Sequence, residues 1–194
     1  TREGVPGMEY QALLKRLPLI HDWAVETVQA AADEADPLIA CDLARLHPYF
    51  PGALLSDTWV VVTDSLPAPP LGQWFGTLRE FTRFEKADGR AITLLDTIFV
   101  KRAVQYDDIV LAHELVHVIQ WDYLGPERFL LAYGIGLSSE GYTASPLEKM
   151  ARRHAARVEA DLPAYDIAAA VRQELAASVG PQLDEIRSRR SSEE

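Results

Sequence analysis

From residue 8 to about residue 46, hydrophobic positions recur at three- and four-residue steps, among them Leu13, Leu14, Leu17, Ile20, Trp23, Ala24 and Val28. That spacing predicts two or three helices in an N-terminal part covering residues 1–50, with Pro18 and Pro37 as breaks. The period then changes. Trp59, Val60, Val61, Val62 and Thr63 form a short β-branched run between Pro51-Gly52 and a proline-rich loop at 67–70, the signature of a buried strand. Residues 73–85 carry Trp74, Leu78, Phe81 and Phe84 at helical spacing, but Ala87-Asp88-Gly89 after them suits a hairpin turn. A helix is the expectation there.

Residues 91–100 are β-rich throughout and are expected to form one strand. A helix follows over 108–124, with Asp107 or Asp108 at its cap and Gly125-Pro126 where it should stop. Further helices are expected over 126–137, 146–160 and 165–179, and residues 187–194 read as a solvated tail. The fold class that results is α+β, mainly helical, with a small β-sheet beside the helix over 108–124.

Composition narrows the picture. The chain has 194 residues, 48% hydrophobic and 25% charged, which suits a single globular domain over 1–194. A formal charge of -10, with no basic cluster outside Arg187 to Arg190, argues against a nucleic-acid partner. Cys41 is the only cysteine, so a metal would have to be held by histidine and carboxylate. The longest apolar runs, such as 129–137, fall well short of a membrane span. The first residues lack the layout of a secretory signal, which leaves localisation open between cytoplasmic and exported; oligomeric state is equally open.

The chemistry gathers in His113-Glu114-Leu115-Val116-His117. Two imidazoles four residues apart stack on one helix face, close enough to share one ion. Glu114 can then reach a water held by that ion without binding the metal, as a general base must. Around these residues the helix is apolar nearly all round, so His113, Glu114, His117 and Gln120 need partners, and zinc supplies them for the histidines. His21 and His47 are isolated from other ligand types and read as ordinary surface or packing residues.

A catalytic zinc takes three protein ligands and leaves one position open. The extension that would supply a third histidine fails, because Gln120 stands in place of its glycine and Tyr123 in place of its histidine. Glu127, Glu140, Glu148 and Glu159 all follow the motif, and Glu148 is best placed because it opens a new helix. The competing account of Glu148 is a capping box, with Ser145 at the cap and Pro146 at the first helical position. His154, on the apolar side of the same helix, is either a packing residue or an oxyanion stabiliser. Tyr133 and Tyr142 are candidate hydrogen-bond donors to an oxyanion.

The run IVLAHELVHVIQ over 109–120 resembles the core of a bacterial group of zincin domains whose signature is HELxHxxQ. In weaker form the likeness extends from the strand at 91–100 to Gly141-Tyr142 and Pro146-Leu147-Glu148, about a third of the chain. By likeness to gluzincins, His113 and His117 become zinc ligands, Glu114 the base and Glu148 the third ligand. The likeness also implies an extended peptide substrate held against a strand at 91–100. The Asp of the thermolysin-like pattern four residues beyond the glutamate is Arg152 here, so the groups supporting the ligands must differ. The expected activity is zinc-dependent peptide hydrolysis, with Tyr142 as oxyanion donor. The alternative is a zincin-like module that has lost catalysis and serves binding or assembly.

Overall fold

Val60, Val61, Ile98, Phe99 and Val100 are all buried, and alternation sends them to two opposite faces of one sheet. Both faces must therefore be covered, and the helices do this. The computed structural model describes residues 14–70, 89–140, 145–181 and 183–184, the side chains of 137–140 excepted. The expectations for residues 73–85 and for the tail over 187–194 lie outside the described residues.

Four strands make the sheet: β1 (Asp36–Pro37), β2 (Trp59–Thr63), β3 (Ala91–Leu94) and β4 (Thr97–Lys101), in the order β1-β2-β4-β3. β2 and β4 run parallel, with Val60 opposite Ile98, whereas β1 and β3 pair antiparallel to their neighbours. The fold is α+β and mainly helical, as the sequence implies. Residues 91–100, however, are a hairpin and not one strand. Leu94 pairs with Thr97, and Leu95 turns the chain with φ 58. A leucine is an uncommon turn residue, since the left-handed region costs an L-residue roughly 1 kcal/mol. The turn is held nonetheless: the Asp96 carbonyl accepts Trp59 N at 2.9 Å and its side chain accepts Thr97 Oγ1 at 2.9 Å.

Helix α1 (Leu17–Ala30) covers one face, with Ala24 packed among Val61, Leu94 and Phe99. The chain breaks at Pro18 as expected: residues 15–16 form a turn and α1 starts anew with Pro18 in its first turn, where its missing N–H costs nothing. Beyond α1 the chain forms short 3-10 turns around Pro37, so from Leu17 to residue 46 the described residues hold one long helix, and the expectation for 8–13 lies outside the described residues. After α2 (Gly52–Asp57), the opposite face of the sheet is covered by α3 (Asp108–Glu140), then α4 (Pro146–Glu159) and α5 (Ile167–Glu174) against it. Asp107 caps α3, its Oδ1 accepting Ile109 N at 3.0 Å and Val110 N at 3.1 Å. Among the described residues no helix is long and apolar enough to cross a membrane.

α3 spans 33 residues but is two arms, broken at Gly125 with φ 72 and ψ 164. Glycine ends the first arm at no steric cost, and Pro126 opens the second with its φ already helical. The expected stop is thus a bend. The second arm crosses the start of α4 at Gly136, where an added Cβ would lie 2.5 Å from Ser145 Oγ and 3.0 Å from its Cβ. Gly136→Ala should therefore lower stability by about 1–3 kcal/mol through overpacking, read as a lower midpoint of urea unfolding with an unchanged slope.

Candidate metal centre

The first arm of α3 contributes His113, Glu114, His117 and Gln120, and α4 contributes Glu148 from its first turn. The two imidazoles stand one turn apart with Nε2 atoms 3.1 Å from each other. Glu148 closes the group, its Oε2 3.4 Å from His113 Nε2 and its Oε1 3.3 Å from His117 Nε2. One donor atom from each residue lies within 4.8 Å of the others, so the three together could hold a metal ion. Two imidazole nitrogens and a carboxylate make a donor set that suits zinc. Glu148 and His117 are buried, while the His113 side chain keeps 20% of its surface exposed, so the group opens to solvent on that side.

The capping-box account of Glu148 does not hold. Among the described residues no side chain caps α4 and Ser145 Oγ finds no hydrogen-bond partner, while the Glu148 carboxylate points to the histidines. Of the other ligand candidates, Glu127 and Glu159 are exposed and outside the cluster. The Glu140 side chain and all of Tyr142 lie outside the described residues. His154 is buried away from the cluster: its Nδ1 meets the Tyr165 hydroxyl at 2.5 Å, and its Nε2 lies 3.2 Å from Glu174 Oε1 without hydrogen-bond geometry. It packs α4 against α5 and lies outside the His113–His117–Glu148 group. His47 is exposed, and His21 lies beside Asp22 at 3.7 Å, in line with ordinary roles for both.

The buried polar groups of this helix each have a partner. Gln120, fully buried, donates from Nε2 to the Leu147 carbonyl at 3.1 Å, which turns its Oε1 towards His117 Nδ1 at 2.8 Å. That orientation places the His117 proton on Nδ1 and leaves Nε2 for an ion. Gln120 thus holds the His117 ring by its Nδ1 edge. Tyr133, on the second arm, donates to Glu148 Oε1 at 3.0 Å, so its hydroxyl holds the Glu148 carboxylate. Glu114 turns away to β3, where the Thr93 hydroxyl donates to its Oε2 at 2.7 Å. Trp121 Nε1 donates to the Thr93 carbonyl at 3.3 Å. Its ring stacks on Phe129 at 4.0 Å, and Phe129 on Tyr133 at 5.6 Å, which links the two arms of α3.

Thr93, Trp121 and the supporting role of Tyr133 are not legible in the sequence. The alternation along β3 could have suggested that Thr93 faces α3, but only once the strand's bounds were known. Comparison with protein-family models, curated proteins and solved structures finds no match to this chain.

Without an ion, the cluster holds protons. Burial works against a charged His117, yet the hydrogen bond and charge of Glu148, with help from Glu114 and Gln120, push its pKa up to about 9. Burial likewise works against the Glu148 carboxylate, but hydrogen bonds from His113 and His117 and their charge hold its pKa far below the usual range. His117 then stabilises the metal-free fold fully below its ordinary 6.5 and loses that effect as pH rises through about 9. Glu148 stabilises it above its ordinary 4.5 and loses the effect as pH falls. Metal-free protein should accordingly lose melting temperature from pH 6.5 to 9, and the rise in melting temperature on adding stoichiometric zinc should grow over that interval. Gln120→Leu, which frees His117 Nδ1 and the Leu147 carbonyl, should weaken zinc binding by about 10- to 100-fold in competition titrations.

Proposed function

We propose that the protein is a zinc-dependent peptidase of the gluzincin type, acting on peptide or polypeptide substrates. One observation carries the reading: His113, His117 and Glu148 present three donors to a common point while Glu114, between the histidines, stays out of the donor set. A structural zinc site usually closes with a fourth side chain and has no use for a neighbouring carboxylate of this kind.

Zinc, when bound, would supply Lewis acidity to a water molecule and to the carbonyl of the scissile bond. The chain supplies the rest. His113 Nε2, His117 Nε2 and the Glu148 carboxylate hold the ion, while Gln120 and Tyr133 fix the direction of two of these ligands. Glu114 takes the proton of the attacking water on its carboxylate and returns it to the amide nitrogen as the C–N bond breaks. Burial of the surrounding helix face keeps bulk water from competing for that proton.

The test is zinc content by elemental mass spectrometry together with cleavage of a quenched fluorescent peptide library. The parent should hold close to one zinc per chain and cleave, while His113→Ala and Glu148→Ala should lose both properties. Glu114→Gln should keep zinc and lose at least about 100-fold in rate. Parental cleavage by Glu114→Gln would sink the mechanism, and no zinc after reconstitution would sink the metal site.

A further inference from the structure

The carboxylate that the proposed reaction depends on is not held by its own helix. Side chains alternate along β3, so Ile92 and Leu94 point to the face covered by α1 while Thr93 points to α3. There its hydroxyl lies 2.7 Å from Glu114 Oε2 and 3.1 Å from the Glu114 main-chain carbonyl. A threonine hydroxyl has one proton to donate, and the carboxylate oxygen is the nearer and more strongly accepting site. Thr93 is itself restrained: it pairs with Ile98 in the sheet, and its carbonyl accepts Trp121 Nε1 at 3.3 Å. Thr93 and Glu114 are both buried, 6% and 7% exposed, so water competes poorly for the contact.

We infer that Thr93 is a positioning residue for Glu114, setting from the sheet the place and rotamer of the carboxylate that moves the proton. The inference rests on the reading of Glu114 as general base. With its hydroxyl donated to Oε2, Thr93 leaves Oε1 as the oxygen free to meet a proton, and β3 becomes part of the catalytic frame. A glutamate has three side-chain torsions, and without this contact the carboxylate has several rotamers in reach. Thr93→Val removes the hydroxyl but keeps the β-branched shape that suits a strand, whereas Thr93→Ser keeps the hydroxyl and drops the methyl group.

Two measurements decide it. In metal-free protein, a double-mutant cycle of Thr93→Val and Glu114→Ala should show coupling of about tenfold in the unfolding equilibrium constant. In zinc-loaded protein, with the best-cleaved library peptide, Thr93→Val should lower kcat by about 10- to 100-fold with KM within about twofold and zinc content unchanged. Thr93→Ser should restore kcat to within about threefold of the parent. An additive cycle, or parental kcat in Thr93→Val, overturns the inference even where Glu114→Gln is inactive. Coupling in the cycle alongside full activity of Glu114→Gln locates the failure in the general-base reading instead, and the positioning role falls with it.

Discussion

A helix that is apolar on nearly every side and yet carries two histidines, a glutamate and a glutamine can be buried only if each of those groups finds a partner. An unsatisfied buried polar group costs about 1–3 kcal/mol, so four of them left alone would rival the stability of a small domain. The architecture around the first arm of α3 meets that demand from three directions. α4 brings Glu148 and the Leu147 carbonyl, the second arm of α3 brings Tyr133, and the sheet brings Thr93. The contacts that make burial possible are also those that aim the side chains.

This dual role explains features that are otherwise costly. The break at Gly125 sends the second arm back across the start of α4, and Gly136 lets it pass against Ser145. Only with the arm so placed can Tyr133 reach Glu148. The Leu95 turn is unfavourable by itself, but a tight hairpin keeps β3 beside β4 and puts Thr93 over Glu114. The stack of Trp121, Phe129 and Tyr133 then ties the residue holding Glu114 to the residue holding Glu148. Such aromatic pairs contribute about 0.5–1.5 kcal/mol each beyond the area they bury.

Beyond this polar cluster, the same economy recurs in milder form. His154 is buried against Tyr165, with Glu174 close by and Arg153 paired to that carboxylate, which fastens α5 to α4. Arg45 donates to the Val158 and Glu159 carbonyls at the end of α4, each at 3.0 Å, and to Asp161. These contacts hold the helix that carries Glu148 at the end away from the His113–His117–Glu148 group. Rigidity at a site of this kind comes from such outer contacts as much as from the ligands.

Local chemistry explains which parts were legible from the sequence. The helical spacing of His113 and His117, the Asp107 cap, the β-branched run at Trp59–Thr63 and the glycine-proline punctuation at 125–126 are each decided within a few residues, and each is recognisable there. The mainly helical α+β class follows from the same periodicities. The hairpin at 91–100 escaped because leucine is uncommon at the left-handed turn position that Leu95 takes, and the turn is held by a contact with β2 that is remote in sequence. Glu148 stood between two accounts because a capping box and a metal ligand place a glutamate at the same helical position. Only the approach of α4 to α3 separates them, since it brings the histidine nitrogens within 3.3 and 3.4 Å of the carboxylate while no side-chain cap bond forms. Thr93, Gln120 and Tyr133 acquired their partners in the same way. A side chain's type is written in the chain, whereas which buried group it must satisfy depends on the segments that pack against it.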